Sequence, residues 1–130
     1  PEVKIDGVTW IWPADESTAS RRHATRAAAD VVRLLAPFDP IVWDRRRFAL
    51  LWGWDYRFEA YTPAPKRVRG YYALPLLWRD AVIGWANLAV KDGALVPDIG
   101  FVSGQTPGDA AFAAALDDEL QRMAAFLGVG

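Results

Sequence analysis

Two short basic runs, Arg45-Arg46-Arg47 and Lys66-Arg67-Val68-Arg69, are the residues of this chain best suited to chemistry with a charged partner. Arg57 lies between them, and Asp55 and Glu59 are the acids of the interval from Arg45 to Arg69. Aromatic residues interleave with these cations: Trp52, Trp54, Tyr71 and Tyr72. Guanidinium and ammonium groups beside flat rings suit a surface that meets phosphate and stacked bases.

Each feature also admits a structural role. Arg45, Arg46 and Arg47 either contact phosphate at a helix start or pair with Asp39, Asp44 or Asp55. The Pro63-Ala64-Pro65-Lys66-Arg67 segment is either a stiff basic loop that enters a groove or a solvated hairpin end. The tryptophans and tyrosines either stack on bases or fill the core, and alternation along a strand turns one of Tyr71 and Tyr72 inward. Asp39, Asp55 and Glu59 stand near arginines, which favours ion pairing over general acid–base work. His23 lies in a polar, arginine-containing segment and reads as a surface residue.

Bulk properties narrow the field. The 130 residues suffice for one domain with one core, and 52% apolar content excludes wholesale disorder. Fifteen basic and sixteen acidic residues give a net charge of −1, so any attraction to nucleic acid is local. The absence of cysteine excludes disulfides and thiolate chemistry, and a single histidine cannot build a zinc site. No metal or cofactor is expected. With no signal-peptide pattern and no apolar run near the ~20 residues of a membrane span, the expectation is a cytoplasmic protein. The start at Pro1 fits a processed terminus or a fragment.

The elements that would position these residues read as follows. Val3 to Trp12 is a hairpin turning at Asp6-Gly7. Ala14 to Ala29 contains a short helix, and Val31 to Ala36 is a buried strand. Asp44 caps a two-turn helix that runs to Leu51 or Trp52 and ends at Gly53. Arg57 to Thr62 alternates like a half-buried strand. Gly70–Trp78, Ala81–Val90 and Ala94–Val102 form an antiparallel meander with turns at Arg79-Asp80 and Asp92-Gly93. Thr106 caps a long helix to about Leu127, with Phe112, Leu116, Leu120, Met123 and Leu127 on one stripe. The expected fold is α+β: a small antiparallel β-sheet curling to a barrel, with a long C-terminal helix.

The motif order Leu34-Leu35-Ala36-Pro37-Phe38-Asp39-Pro40, Trp43-Asp44-Arg45-Arg46-Arg47, Asp55-Tyr56-Arg57, Tyr61-Thr62-Pro63-Ala64-Pro65-Lys66-Arg67 and Gly70-Tyr71-Tyr72 with Leu74-Pro75 resembles one family. It is the winged-helix family of DNA glycosylases that unhook interstrand crosslinks and remove alkylated purines. The resemblance implies the C-terminal, β-barrel-like part of a longer enzyme, or a shortened relative that kept only this part, spanning residues 1–130 as a single domain without the catalytic winged-helix modules. It departs from the family pattern at Trp85 and Asn87, where arginine and aspartate are usual. The family's catalytic Gln-x-Gln or Gln-x-Asp motif has no counterpart at Gln105 or Gln121, so no catalytic residue is carried over.

These readings combine into a non-catalytic, nucleic-acid-associated domain. Its expected contacts with duplex DNA are Arg45, Arg46, Arg47, Lys66, Arg67 and Arg69, and upstream winged-helix modules are a second expected partner. The alternatives are a stand-alone scaffold protein and a barrel that binds a small ligand among its tryptophans.

Overall fold

The computed structural model describes residues 1–17 and 28–130. Among the described residues, two antiparallel sheets and two α-helices make up a mixed α+β architecture. Strands β1 (Glu2–Ile5) and β2 (Val8–Ile11) pair as a separate hairpin. Its turn residues Asp6 and Gly7 have φ of 49° and 78°, both positive, as a right-twisted two-residue hairpin loop requires. The helix expected between Ala14 and Ala29, with His23 inside it, falls on residues 18–27 and lies outside the described residues.

The main sheet has the order β3-β4-β5-β6, from β3 (Val32–Leu34), β4 (Leu74–Trp78), β5 (Ala81–Lys91) and β6 (Ala94–Phe101). The meander forms as expected, and Asp92-Gly93 repeats the positive-φ turn. Closure into a barrel does not occur among the described residues. The sheet is open, with β3 and β6 as its edges. Two structural reasons account for this. Strand β3 is three residues long, and helix α2 (Ala110–Leu127) lies against both edge strands, covering one face of the sheet.

Each face of the sheet builds its own core. On one, Val32, Leu76 and Trp78 pack against Phe112 and Ala115 of α2. On the other, Val82 meets Leu35, Val42, Trp54 and Tyr56, together with Phe48 of helix α1 (Arg45–Trp52). A β-bulge serves this division. Leu76 pairs with Gly84 while Leu77 pairs with Val82, which leaves Ile83 as the extra residue. The insertion places Val82 and Trp85 in the same core and sends Ile83 to the other. Gly84 leaves no room for a side chain against β6: a Cβ there would stand 2.2 Å from the Gly100 carbonyl oxygen.

Several local expectations change. Residues 57–62 form no strand; the buried residues nearby are Tyr56 and Glu59, while Phe58 and Ala60 are half-buried. Strand β4 starts at Leu74, so Tyr71 and Tyr72 precede it and both face solvent. Helix α2 is capped by Asp109, whose carboxylate accepts from the Ala111 N–H at 2.9 Å, and not by Thr106. Arg79 holds the same carboxylate at 3.1 Å. The buried line of α2 is Phe112, Ala115 and Glu119, while Leu127 is exposed. Glu119 is buried because it serves the sheet edge: it accepts from the Leu34 N–H at 2.9 Å and from Arg122 at 3.0 Å. Among the described residues no helix is long and apolar enough to cross a membrane.

Candidate nucleic-acid interface

The first basic run opens α1. Asp44 is extended at φ −83° and accepts from the Arg47 N–H at 3.0 Å, and Gly53 closes the helix in the left-handed region. Sequence alone specifies this helix, since an aspartate cap and a glycine stop are local devices. Phe48 anchors it, packing edge-on against Trp52 and Trp54 with centroids 4.9 Å away in each case. That burial turns Arg45 and Arg46 outward, exposed and without a hydrogen bond or ion pair. Arg47 donates to the Pro40 carbonyl. Arg46 and Arg47 also line a cleft of about 520 Å³ between α1 and the β1–β2 hairpin.

The second run is organised by Glu59. Its side chain, with the residue only 4% exposed, receives the backbone N–H groups of Val68 at 2.9 Å, Arg69 at 3.1 Å and Gly70 at 3.2 Å. Burial opposes ionisation, but these three donors and the Arg69 charge outweigh it, and the carboxyl is held below its ordinary pKa. A 3₁₀ turn at Ala64–Lys66 leads into this cradle and leaves Lys66 exposed, with a free side chain. Arg67 donates from Nε to the Thr62 carbonyl at 2.8 Å and lies over the Tyr71 ring at 4.9 Å.

Arg69 has a different environment. Its guanidinium lies over both the Trp54 and Trp85 indoles, at 4.9 and 5.0 Å from the ring centroids, while the two rings meet each other at 6.3 Å. Its Nε is buried without a hydrogen-bond partner. Asn87 donates from Nδ2 to the Arg69 carbonyl at 2.7 Å. Trp85 and Asn87, the two departures noted in the sequence, therefore converge on one residue. Gly100 makes room for this arrangement, since a Cβ there would lie 2.3 Å from the Trp85 ring.

None of the six basic residues pairs with a carboxylate; the ion pairs among the described residues are Arg33 and Arg122 with Glu119, and Arg79 with Asp30 and Asp109. Asp39 accepts from the Ile41 N–H instead, and Asp44 caps α1. Of the two roles open to Arg45–Arg47, pairing with Asp39, Asp44 or Asp55 does not occur, and Asp39 and Asp44 make these backbone contacts. Nor does Glu59 suit general-acid work. A general acid needs a raised carboxyl pKa, and that of Glu59 is lowered. Burial pushes the Tyr56 hydroxyl pKa upward, with Tyr72 and Glu59 adding to the effect, so it stays a donor to the Ala73 carbonyl at 2.7 Å. Among the described residues no cluster of histidine and carboxylates could hold a metal.

Sequence reasoning missed Glu59 as the organiser of the loop, as well as the double stack on Arg69. The available signal was slight: a glutamate in an aromatic stretch, followed by a proline-rich loop ending in glycine.

The family model described as DNA glycosylase AlkZ-like matches residues 1–126. The chain belongs to this family. The match reaches past the motifs at residues 34–75 into both the hairpin and α2, so it includes residues of every described strand and helix. No solved structure matches the chain. It is a domain related to DNA-repair glycosylases, and within that relationship Trp85 and Asn87 take structural positions around Arg69.

Proposed function

We propose that residues 1–130 act as one non-catalytic, DNA-associated domain, equivalent to the C-terminal part of glycosylases that repair interstrand crosslinks and alkylated purines. Phosphate contacts run through Arg45, Arg46, Arg47, Lys66, Arg67 and Arg69, and winged-helix modules of a longer chain are its protein partners. The observation that carries this reading is that Arg45, Arg46 and Lys66 are exposed and have no partner. Such cations are available for a phosphate and release counterions when they bind one. Arg47, Arg67 and Arg69 keep their charge while holding a carbonyl or a ring, so they add to the field with less freedom to move.

Fluorescence anisotropy with a fully paired duplex over a range of salt concentrations tests the reading. Affinity falls as salt rises. A combined Arg45→Ala, Arg46→Ala, Lys66→Ala variant binds more weakly across all sequences, and its log–log salt slope is shallower by about 2.7, from ~0.9 per phosphate contact. Its melting temperature is unchanged, because these side chains hold nothing else. Failure of the wild type to bind, or a salt slope unaffected by the substitutions, refutes the proposal.

A second reading, a small apolar ligand, is supported by a cleft of about 620 Å³ lined by Trp52, Trp54 and Trp78 with Ser103, Gln105 and Thr106 at hand. Its size falls within the ~300–1,000 Å³ of ligand pockets. Saturable quenching of tryptophan emission by an apolar ligand, without competition by DNA, favours it.

A further inference from the structure

A smaller concavity beside α1 has aromatic walls that the phosphate contacts leave unused, and it includes one of those contacts, Arg45. It measures about 180 Å³ and is lined by Phe38, Val42, Trp43, Arg45, Tyr56 and Phe58. Phe38 is 73% exposed and Trp43 63% exposed, so two large rings stand in solvent next to each other's segment. Exposed apolar patches with polar rims mark binding sites more often than chance.

The walls are held in place. Phe38 meets Phe58 edge-on with centroids 5.5 Å apart, and Phe58 in turn meets Tyr72 at 5.0 Å and 90°. The segment carrying Phe38 and Trp43 is a closed turn: the Asp39 carbonyl accepts from Val42 at 2.8 Å and Trp43 at 3.0 Å, and the Asp39 side chain accepts from Ile41 at 2.9 Å. A preformed aromatic surface loses little entropy on binding. Arg45 is the one cation of the lining and has all its donors free.

Size and chemistry restrict the occupant. The volume lies below the ~300–1,000 Å³ of drug-sized ligand sites, which suits one planar ring system. An apolar side chain from a protein partner would satisfy the rings but leave the Arg45 fork unspent. A flat base joined to a phosphate uses both. We propose that this pocket takes a single unpaired nucleobase of a DNA strand, the base against the aromatic walls and its phosphate on Arg45. The proposal rests on the DNA-associated function above and adds what it recognises: a strand with a base outside the stack, in preference to a fully paired one.

The test compares a paired duplex with the same duplex carrying one bulged 2-aminopurine. Base–aromatic stacking corresponds to a preference of roughly 5- to 150-fold for the bulged form, with 2-aminopurine emission falling on binding. Phe38→Ala and Trp43→Ala remove the preference and leave affinity for the paired duplex unchanged, while Trp43→Phe keeps it. Because both side chains are exposed, the variants fold, and thermal melts verify that. Equal affinity for the two duplexes with no change in emission overturns the pocket alone. A preference that survives both alanine variants also overturns it, since the base then sits elsewhere. Absence of binding to either duplex overturns this inference together with the DNA-associated function.

Discussion

Replacing Glu59 with glutamine deletes a negative charge from the most basic stretch of the chain, so charge counting expects a polyanion to bind more tightly. The structure points the other way. Glu59 accepts the N–H groups of Val68, Arg69 and Gly70, and these bonds shape the segment that carries Lys66, Arg67 and Arg69. A glutamine has one acceptor oxygen, and its amide NH₂ would turn a donor toward donors. Hydrogen bonds to a charged group contribute about 1.5–3 kcal/mol each, and bonds sharing one carboxylate do not add fully, so the expected loss is about 2–4 kcal/mol. At roughly 3–6 °C per kcal/mol for a chain of this size, the melting temperature drops by roughly 6–24 °C.

The same substitution removes a pH dependence. The Glu59 pKa is lower folded than its ordinary 4.5. Its contribution is therefore present above 4.5 and lost as pH falls through the lower folded value. Melting curves by circular dichroism at neutral pH and at several values below 4.5 should show wild type and Glu59→Gln converging as the solution becomes acidic. Anisotropy titrations at neutral pH should show the variant binding duplex DNA less tightly despite its more positive charge. An unchanged melting temperature together with tighter DNA binding would refute the organising role of this carboxylate.

Two further outcomes test the scaffold. Gly84→Ala forces a Cβ to 2.2 Å from a backbone oxygen of the neighbouring strand, and strand separation or strain should cost at least about 1–3 kcal/mol in urea unfolding. Asp44→Ala removes the cap of α1 and should cost about 1 kcal/mol by the same measurement, with a smaller loss of DNA affinity because Arg45 and Arg46 lie in the first helical turn.

Local chemistry made much of the fold legible in the sequence. Asp6-Gly7 and Asp92-Gly93 specify turns because aspartate and glycine tolerate the positive φ such loops need, and both turns form. Asp44 and Gly53 bound α1, while Gly128 ends α2. The run from Ala81 to Val90 between two turns announced a strand, and the ordered motifs from Leu34 to Pro75 announced the family. The basic residue types that could meet phosphate were also visible, but not which of them face solvent.

What those positions could not convey is how distant segments share one another's donors, acceptors and faces. Glu59 resembled a strand residue until the backbone of residues 68–70 curled over it. Arg69 looked as free as Lys66, yet tertiary packing sets it over the rings of Trp54 and Trp85. The sheet stayed open because α2 covered it, and a bulge at Ile83, invisible in a two-residue period, assigned Val82 and Trp85 to the same core. The amino-acid order thus determined turns, caps and kinship, which depend on adjacent dihedral angles and side-chain types. The arrangement in space alone decided which cations remain unspent, because a charge is free or committed only relative to groups that folding brings beside it.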